Sequence, residues 1–88
     1  MEWDVAVAGK SKKLPNDIKE SLISLVLELR AKGPVLSKRP HFGKIKGKKE
    51  TYHCHLTGGR PTYVACWRRS AENKIEVYYV GTHENAPY

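Results

Sequence analysis

The stretch TYVACWRRSAENKIEVYYVG, residues 62–81, decides the fold of this chain. Its two ends, residues 62–69 and 74–81, are rich in β-branched and aromatic residues, which favour β-strands. The four residues between them, 70–73, form a short and mostly polar connection. Because so short a connection joins strands that lie side by side, the stretch predicts an antiparallel hairpin.

The residues before this hairpin predict one more strand. Residues 51–56, TYHCHL, form another strand-like run. The sequence Gly58-Gly59-Arg60-Pro61 that follows is typical of a turn. Residues 51–81 therefore predict a three-stranded antiparallel meander, and residues 82–88 a short polar tail.

The N-terminal residues predict a first strand. Trp3, Val5 and Val7 alternate with other residues over 2–8, so they lie on one face of an extended chain.

A helix is predicted between residues 15 and 34. Pro15-Asn16-Asp17 opens it, and Asp17 as the N-cap has capping-box spacing to Glu20. Lys32-Gly33-Pro34 ends it after about 15 residues, since glycine suits a left-handed cap and proline cannot continue a helix. The apolar stripe expected to face the sheet comprises Ile18, Leu22, Leu25, Val26 and Leu29, widened by Ile23 and Leu27.

Residues 35–50 are predicted to be a loop, because Pro40, Gly43 and Gly47 interrupt any regular element. His41 and Phe42 within it are candidates for stacking on a nucleobase. The loop is also basic, which suits phosphate binding and equally suits a solvated charged loop. With Arg68 from the meander, the candidate RNA-binding residues are Lys38, Arg39, Lys44, Lys46, Lys48 and Lys49.

The order strand, helix, three strands predicts an α+β fold. We expect the N-terminal strand and the helix to pack on a twisted antiparallel sheet of about four strands. The 88 residues suffice for one core, so residues 1–88 are predicted to be a single domain.

Charge and composition narrow the function classes. Sixteen Lys/Arg against nine Asp/Glu give a formal charge of +7, which favours a polyanionic partner such as nucleic acid, although a solubility charge or an acidic protein partner also fits. No apolar run approaches the ~20 residues of a membrane span. The N-terminus lacks the features of a signal peptide, so a cytoplasmic location is expected, with Cys54 and Cys66 as reduced thiols.

The stretch YHCHL, residues 52–56, carries the candidate chemistry. On a strand, Cys54 points to one face while His53 and His55 point to the other, so a His-Cys-His metal cluster is disfavoured. His53, His55 and His83 leave a three-ligand metal site open. The two strand histidines, about 6.5–7 Å apart, suit acid–base chemistry on one phosphodiester, and equally two ordinary exposed histidines.

The chain resembles the RelE/ParE superfamily of toxin–antitoxin toxins, and in particular RelE-like messenger-RNA interferases. The order of elements fits the whole chain, and the motif similarity is concentrated in residues 44–84. It lies in four stretches: Lys44-Ile45-Lys46-Gly47, Tyr52-His53-Cys54-His55-Leu56, Gly59-Arg60-Pro61-Thr62-Tyr63-Val64 and Val80-Gly81-Thr82-His83-Glu84. It implies a RelE-like fold and an endoribonuclease that needs no metal or other cofactor and cuts ribosome-bound mRNA by attack of the RNA's own 2′-hydroxyl.

The resemblance also implies roles for individual residues. The position of His83 is a catalytic one, and His53 and His55 occupy strand positions that supply the base and orient the substrate. Arg60 is the candidate cation for the transition state, although the family's arginine aligns with Thr62, so that Arg68, Arg69 or Lys46 are alternatives. Tyr88 is the candidate C-terminal aromatic.

Partners follow from the same resemblance. It implies a cognate antitoxin that covers the basic face, together with mRNA and the ribosome, and no membrane. Two other functions stay open at this point: a ParE-like gyrase poison without nuclease chemistry, against which the three histidines argue, and a catalytically inactive RNA- or ribosome-binding module.

Overall fold

The structure, a computed structural model, describes residues 2–7, 14–57, 59 and 61–87. One helix packs on a five-stranded sheet, which confirms the α+β class. The elements are β1 (Asp4–Val7), α1 (Asn16–Lys32), β2 (Gly43–Lys44), β3 (Thr51–His55), β4 (Tyr63–Ala71), β5 (Lys74–Thr82) and a short 3-10 helix (His83–Asn85). Ala8 of the predicted first strand and Gly58 of the predicted turn lie outside the described residues.

The sheet is mixed, with the order β1-β5-β4-β3-β2. Strands β2 to β5 form the antiparallel meander, but β1 pairs parallel with β5, from Asp4 opposite Lys74 to Val7 opposite Val77. The predicted antiparallel sheet of about four strands is thus present in β2 to β5, and the parallel β1 edge, which was not predicted, makes the whole sheet mixed. A period-two pattern indicates a strand and its buried face, but it does not carry the direction of its neighbour.

The fifth strand lies inside the predicted loop at residues 35–50. β2 is only two residues long, Gly43 opposite His53 and Lys44 opposite Tyr52. Two residues are too few for an alternating pattern, and glycine disfavours a strand, so the sequence offered no signal for it.

The core lies between α1 and one face of the sheet, which we call the helix face. Ile18, Leu22, Leu25 and Leu29 are buried as predicted, and Val26 is partly buried. Ile23 and Leu27 remain 60% and 57% exposed, so the prediction that they widen the buried stripe is wrong. Each residue rotates the helix by about 100°, and these two side chains lie beyond the reach of the sheet.

The ends of α1 differ from each other in how well they were predicted. The helix begins at Asn16 after Pro15, and the Asp17 carboxylate accepts a hydrogen bond from the adjacent Ile18 N–H, so Asp17 is not the N-cap of a capping box. Gly33 ends the helix as predicted, with φ of 89°. A Cβ at Gly33 would lie 2.9 Å from the Trp3 indole nitrogen, so backbone conformation and space both require glycine there.

The predicted division of YHCHL between two faces is confirmed. Cys54 is fully buried on the helix face, in the cluster that includes Trp67. His53 lies opposite Cys66, and His55 opposite Val64, so these four residues define the other face, which we call the histidine face. Within the described residues, no helix is long and apolar enough to cross a membrane.

Candidate functional site

All four histidines of the chain lie together on the histidine face. The His41 and His55 rings are stacked, with centroids 4.1 Å apart and planes 22° apart. The His83 ring meets His55 edge-on, with centroids 5.5 Å apart and planes 70° apart. His53 lies two residues before His55 on β3. The structure therefore brings together the three histidines selected from the sequence and adds His41.

His41 reaches the cluster from the turn that precedes β2. Gly43, the first residue of β2, lies opposite His53, and the His55 N–H donates to the Pro40 carbonyl at 3.1 Å. These two contacts hold the turn beside β3, where the His41 ring lies on the His55 ring. The sequence offered no signal for this contact, because the turn and β2 both lie within the predicted loop.

The residue after His41 has a different task from the one predicted. Phe42 packs against the rings of Tyr52 and Trp67, with centroids 5.6 and 6.0 Å apart, and it belongs to the side chains that surround the core cluster. Phe42 is therefore a packing residue and is not free to stack on a nucleobase.

Gly43 makes room for His53. A Cβ at position 43 would lie 3.1 Å from His53 Nε2, closer than nearly all real Cβ contacts. The His53 ring is thus half-buried against the β2 backbone, behind the more accessible histidines.

His83 follows β5 as the first residue of the 3-10 helix. Its N–H donates to the Thr62 carbonyl at 2.8 Å, and the Tyr79 hydroxyl donates to the Thr82 carbonyl at 2.7 Å, so the end of β5 is held in place while the His83 side chain stays exposed. A pocket of about 760 Å³ opens here, lined by His55, Pro61, Thr62, Thr82, His83 and Glu84.

The surroundings favour the neutral forms of the two strand histidines. Burial, followed by the nearby charge of His83, lowers the pKa of His53 below its usual 6.5. Burial also lowers the pKa of His55, and the charges of His41, His83 and His53 lower it further. A neutral imidazole offers a nitrogen lone pair, so both side chains are suited to accept a proton near pH 7.

The basic residues separate into paired and unpaired groups. Arg39 forms an ion pair with Glu28, and Arg68 forms one with Glu76 at 2.7 Å. By contrast, none of the four exposed lysines around the β2–β3 connection forms an ion pair with a described carboxylate. We call this group the lysine turn: Lys44, Lys46, Lys48 and Lys49.

The remaining candidate residues lie elsewhere. Lys38 lines a separate small pocket with Glu28 and Lys32 of α1. Arg60 and Tyr88 lie outside the described residues. Arg60 directly precedes Pro61, which lines the pocket beside His55 and His83.

Neither metal nor thiol chemistry is suggested by the described residues. Among residues 2–7, 14–57, 59 and 61–87, no group of three or more His, Cys, Asp or Glu side chains is placed to hold a metal ion. Both cysteines are buried free thiols. Burial raises the pKa of Cys54 to about 11 and that of Cys66 to about 12, so both remain protonated and unreactive near pH 7.

Comparisons of the chain with models of protein families, with curated proteins and with solved structures found no match. The histidine cluster and its pocket are therefore the basis on which a function is proposed.

Proposed function

We propose that this protein is a metal-independent endoribonuclease in which His55 and His83 act on one phosphodiester. The observation that carries the proposal is that these two side chains, from separate parts of the chain, line one pocket with ring centroids 5.5 Å apart. Two imidazoles that converge on one open pocket are suited to a reaction that needs one proton acceptor and one proton donor.

RNA cleavage is such a reaction. The base removes the proton of a ribose 2′-hydroxyl, and the 2′-oxygen attacks the adjacent phosphorus. A P–O2′ bond forms as the P–O5′ bond breaks, and the acid delivers a proton to the departing 5′-oxygen. The products are a 2′,3′-cyclic phosphate and a 5′-hydroxyl, so no electrons and no water are consumed in this step.

The proposed roles follow from the surroundings of each histidine. His55 is the base, because burial and three neighbouring histidines lower its pKa and keep it neutral. His83 is the acid, because it is exposed at the pocket where the leaving oxygen can reach it. His53 lies behind His55 on the same strand and orients the substrate. Arg60, next to pocket residue Pro61, is the proposed cation for the phosphorane charge, and Tyr88 the proposed C-terminal aromatic.

The lysine turn is the proposed binding site for the neighbouring phosphates. Thr51, where β3 leaves the turn, precedes His55 by four residues, or about 13 Å along a strand. Unpaired lysines at that separation are suited to contact phosphates about two nucleotides from the scissile bond. Arg39 and Arg68 contribute less, since Glu28 and Glu76 neutralise them.

The resemblance to RelE-like interferases extends the proposal to biology. On that basis we infer a cytoplasmic toxin of a type II toxin–antitoxin system that cleaves mRNA on the ribosome and stops translation. Its antitoxin is a small protein whose acidic segment covers the histidine face, for which the +7 charge provides complementarity.

The test is primer extension on an mRNA after brief expression of the wild type or of His83→Ala, repeated with purified protein and RNA with and without ribosomes. We expect new 5′ ends from the wild type only, and only in the presence of ribosomes. His83→Gln, which keeps most of the bulk, should fail like His83→Ala, whereas Lys19→Ala on α1 should cut normally.

Two outcomes would reject the proposal. Cleavage of an RNA whose scissile ribose carries no 2′-hydroxyl would exclude the proposed attack. Growth arrest without any new 5′ ends would instead favour a gyrase poison.

A further inference from the structure

His41 occupies a backbone conformation that is uncommon for residues other than glycine. Its φ is 54°, in the left-handed region where glycine is favoured and side-chain-bearing residues are uncommon. The residues on either side hold it there, since the Pro40 carbonyl accepts the His55 N–H and Phe42 packs against Trp67. The conformation is thus imposed by packing and pairing on both flanks.

The consequence of this conformation is the ring stack. With its backbone turned in this way, His41 lies over the His55 ring at a centroid distance of 4.1 Å. Unfavourable backbone conformations that are held by their surroundings cluster at functional sites. Here the conformation presses one imidazole onto the imidazole that lines the pocket.

We propose that His41 is a positioning residue for the reaction, which holds the His55 ring against the pocket and shields one of its faces from water. This inference rests on the proposed nuclease function. His41 itself does not line the pocket, so it acts through His55.

The other groups that face His55 do not duplicate this contact. His53 lies on the same strand, His83 meets the ring edge-on from the 3-10 helix, and Glu84 lines the pocket beside it. Unlike these three side chains, His41 is stacked on the His55 ring. Burial is the main cause of the lowered pKa of His55, and the charge of His41 is the second cause. Removing the whole His41 ring therefore affects this pKa differently from removing only the charge of that ring.

Two substitutions separate these effects. His41→Gly removes the ring and suits the positive φ, so the variant should fold with a melting temperature within about 5 °C of the wild type. His41→Phe keeps a flat ring over His55 but removes the charge. Ser37→Ala, an exposed change in the same loop, is the control.

The experiment combines kcat as a function of pH, measured on ribosome-bound mRNA, with an NMR titration of His55 in each variant. We expect His41→Gly to raise the pKa of His55, move the acidic limb of the rate profile to higher pH and lower kcat by roughly 10- to 100-fold. We expect His41→Phe to give a smaller upward shift in pKa and to recover most of kcat. Ser37→Ala should match the wild type.

Two results would overturn the inference. One is an unchanged His55 titration in His41→Gly, and the other is a kcat of His41→Gly equal to that of a wild type that cleaves RNA. A wild type that cleaves no RNA under any condition would instead overturn the proposed function. In that case the His55 titration, which needs no substrate, still decides whether His41 sets the state of that ring.

Discussion

The same two strands, β3 and β4, form both faces of the sheet, but the two faces have different roles. On the helix face, Cys54 and Trp67 are fully buried, and the Trp67 indole N–H donates to the Pro34 carbonyl at 2.9 Å. On the histidine face, His53 and His55 are only half-buried, so they keep access to solvent while burial perturbs their protonation. Strand alternation thus lets neighbouring residues stabilise the fold and carry chemistry independently.

The largest expected effect is a loss of stability caused by a substitution on the helix face. Trp67→Ala removes a fully buried ring and its hydrogen bond, and should lower the free energy of unfolding by about 3–5 kcal/mol. A domain of this size has only roughly 4–13 kcal/mol in total, so the variant should be largely unfolded on mild urea denaturation.

The matched change on the other face is His55→Ala. Its cost in unfolding free energy should stay below about 1.5 kcal/mol, because the ring is only partly buried, while RNA cleavage is lost. Equal destabilisation by the two variants in urea titrations would contradict the separation of stability from chemistry.

Substitution of two glycines, one near each face, tests the same comparison of the two faces. Gly33→Ala should destabilise the protein by about 1–3 kcal/mol, because alanine is strained at φ of 89° and meets the Trp3 ring. Gly43→Ala should cost less stability, since a Cβ there meets only the His53 ring, but it should displace His53 and change its NMR titration. Thermal melts and imidazole NMR of both variants test this, and a His53 signal that responds to Gly33→Ala but not to Gly43→Ala would contradict it.

The lysine turn tests how far the binding surface extends from the histidine face. Lys46→Ala with Lys48→Ala should weaken RNA binding and reduce the slope of log affinity against log salt by up to about 2. Lys19→Ala with Lys74→Ala, two exposed lysines outside the turn, should leave that slope unchanged. Binding isotherms at several salt concentrations measure it, and equal slopes for the two double variants would remove the turn from the RNA path.

The smallest expected effect concerns how stability depends on pH, which differs between the two sides of the sheet. A histidine whose pKa is lower in the folded than in the unfolded state makes the fold less stable as pH falls below about 6.5, because the unfolded chain binds the proton more readily; this applies to His53 and His55. On the helix side, the hydrogen bond from Arg39 is the main cause of a lowered pKa of Glu28, so its stabilisation is lost only as pH falls below about 4.5.

Melting temperatures between pH 8 and 3 test this order. We expect a first shallow decrease that His55→Asn reduces, and a second decrease that Arg39→Gln reduces. A first decrease of the same size in His55→Asn would show that this histidine does not contribute to it.

Most of the architecture was predictable from local patterns in the sequence. The meander strands, α1 and its termination at Gly33 were predictable because alternation, helical periodicity and turn residues are properties of a few neighbouring residues. The same reasoning divided YHCHL between two faces, which identified His53 and His55 as one group. Asp17 shows the limit, since the helix begins one residue before it.

The contacts that make the site were not predictable in this way. β1 pairs with β5, about 70 residues later in the sequence, and His41 meets His55 from a turn that lies beside β3. The Arg39 guanidinium donates to the Glu28 carboxylate, eleven residues earlier in the sequence, and nothing in the basic run around Arg39 indicates this partner.

The sequence by itself therefore determined which segments are strands and helix and which strand residues face the core, because these depend on spacing within a segment. Only the tertiary structure decided that β1 is a parallel edge strand, that Arg39 and Arg68 form ion pairs with Glu28 and Glu76, and that four histidines form one cluster. Those features depend on which distant residues approach one another, and that approach is set by the packing of the whole sheet against α1.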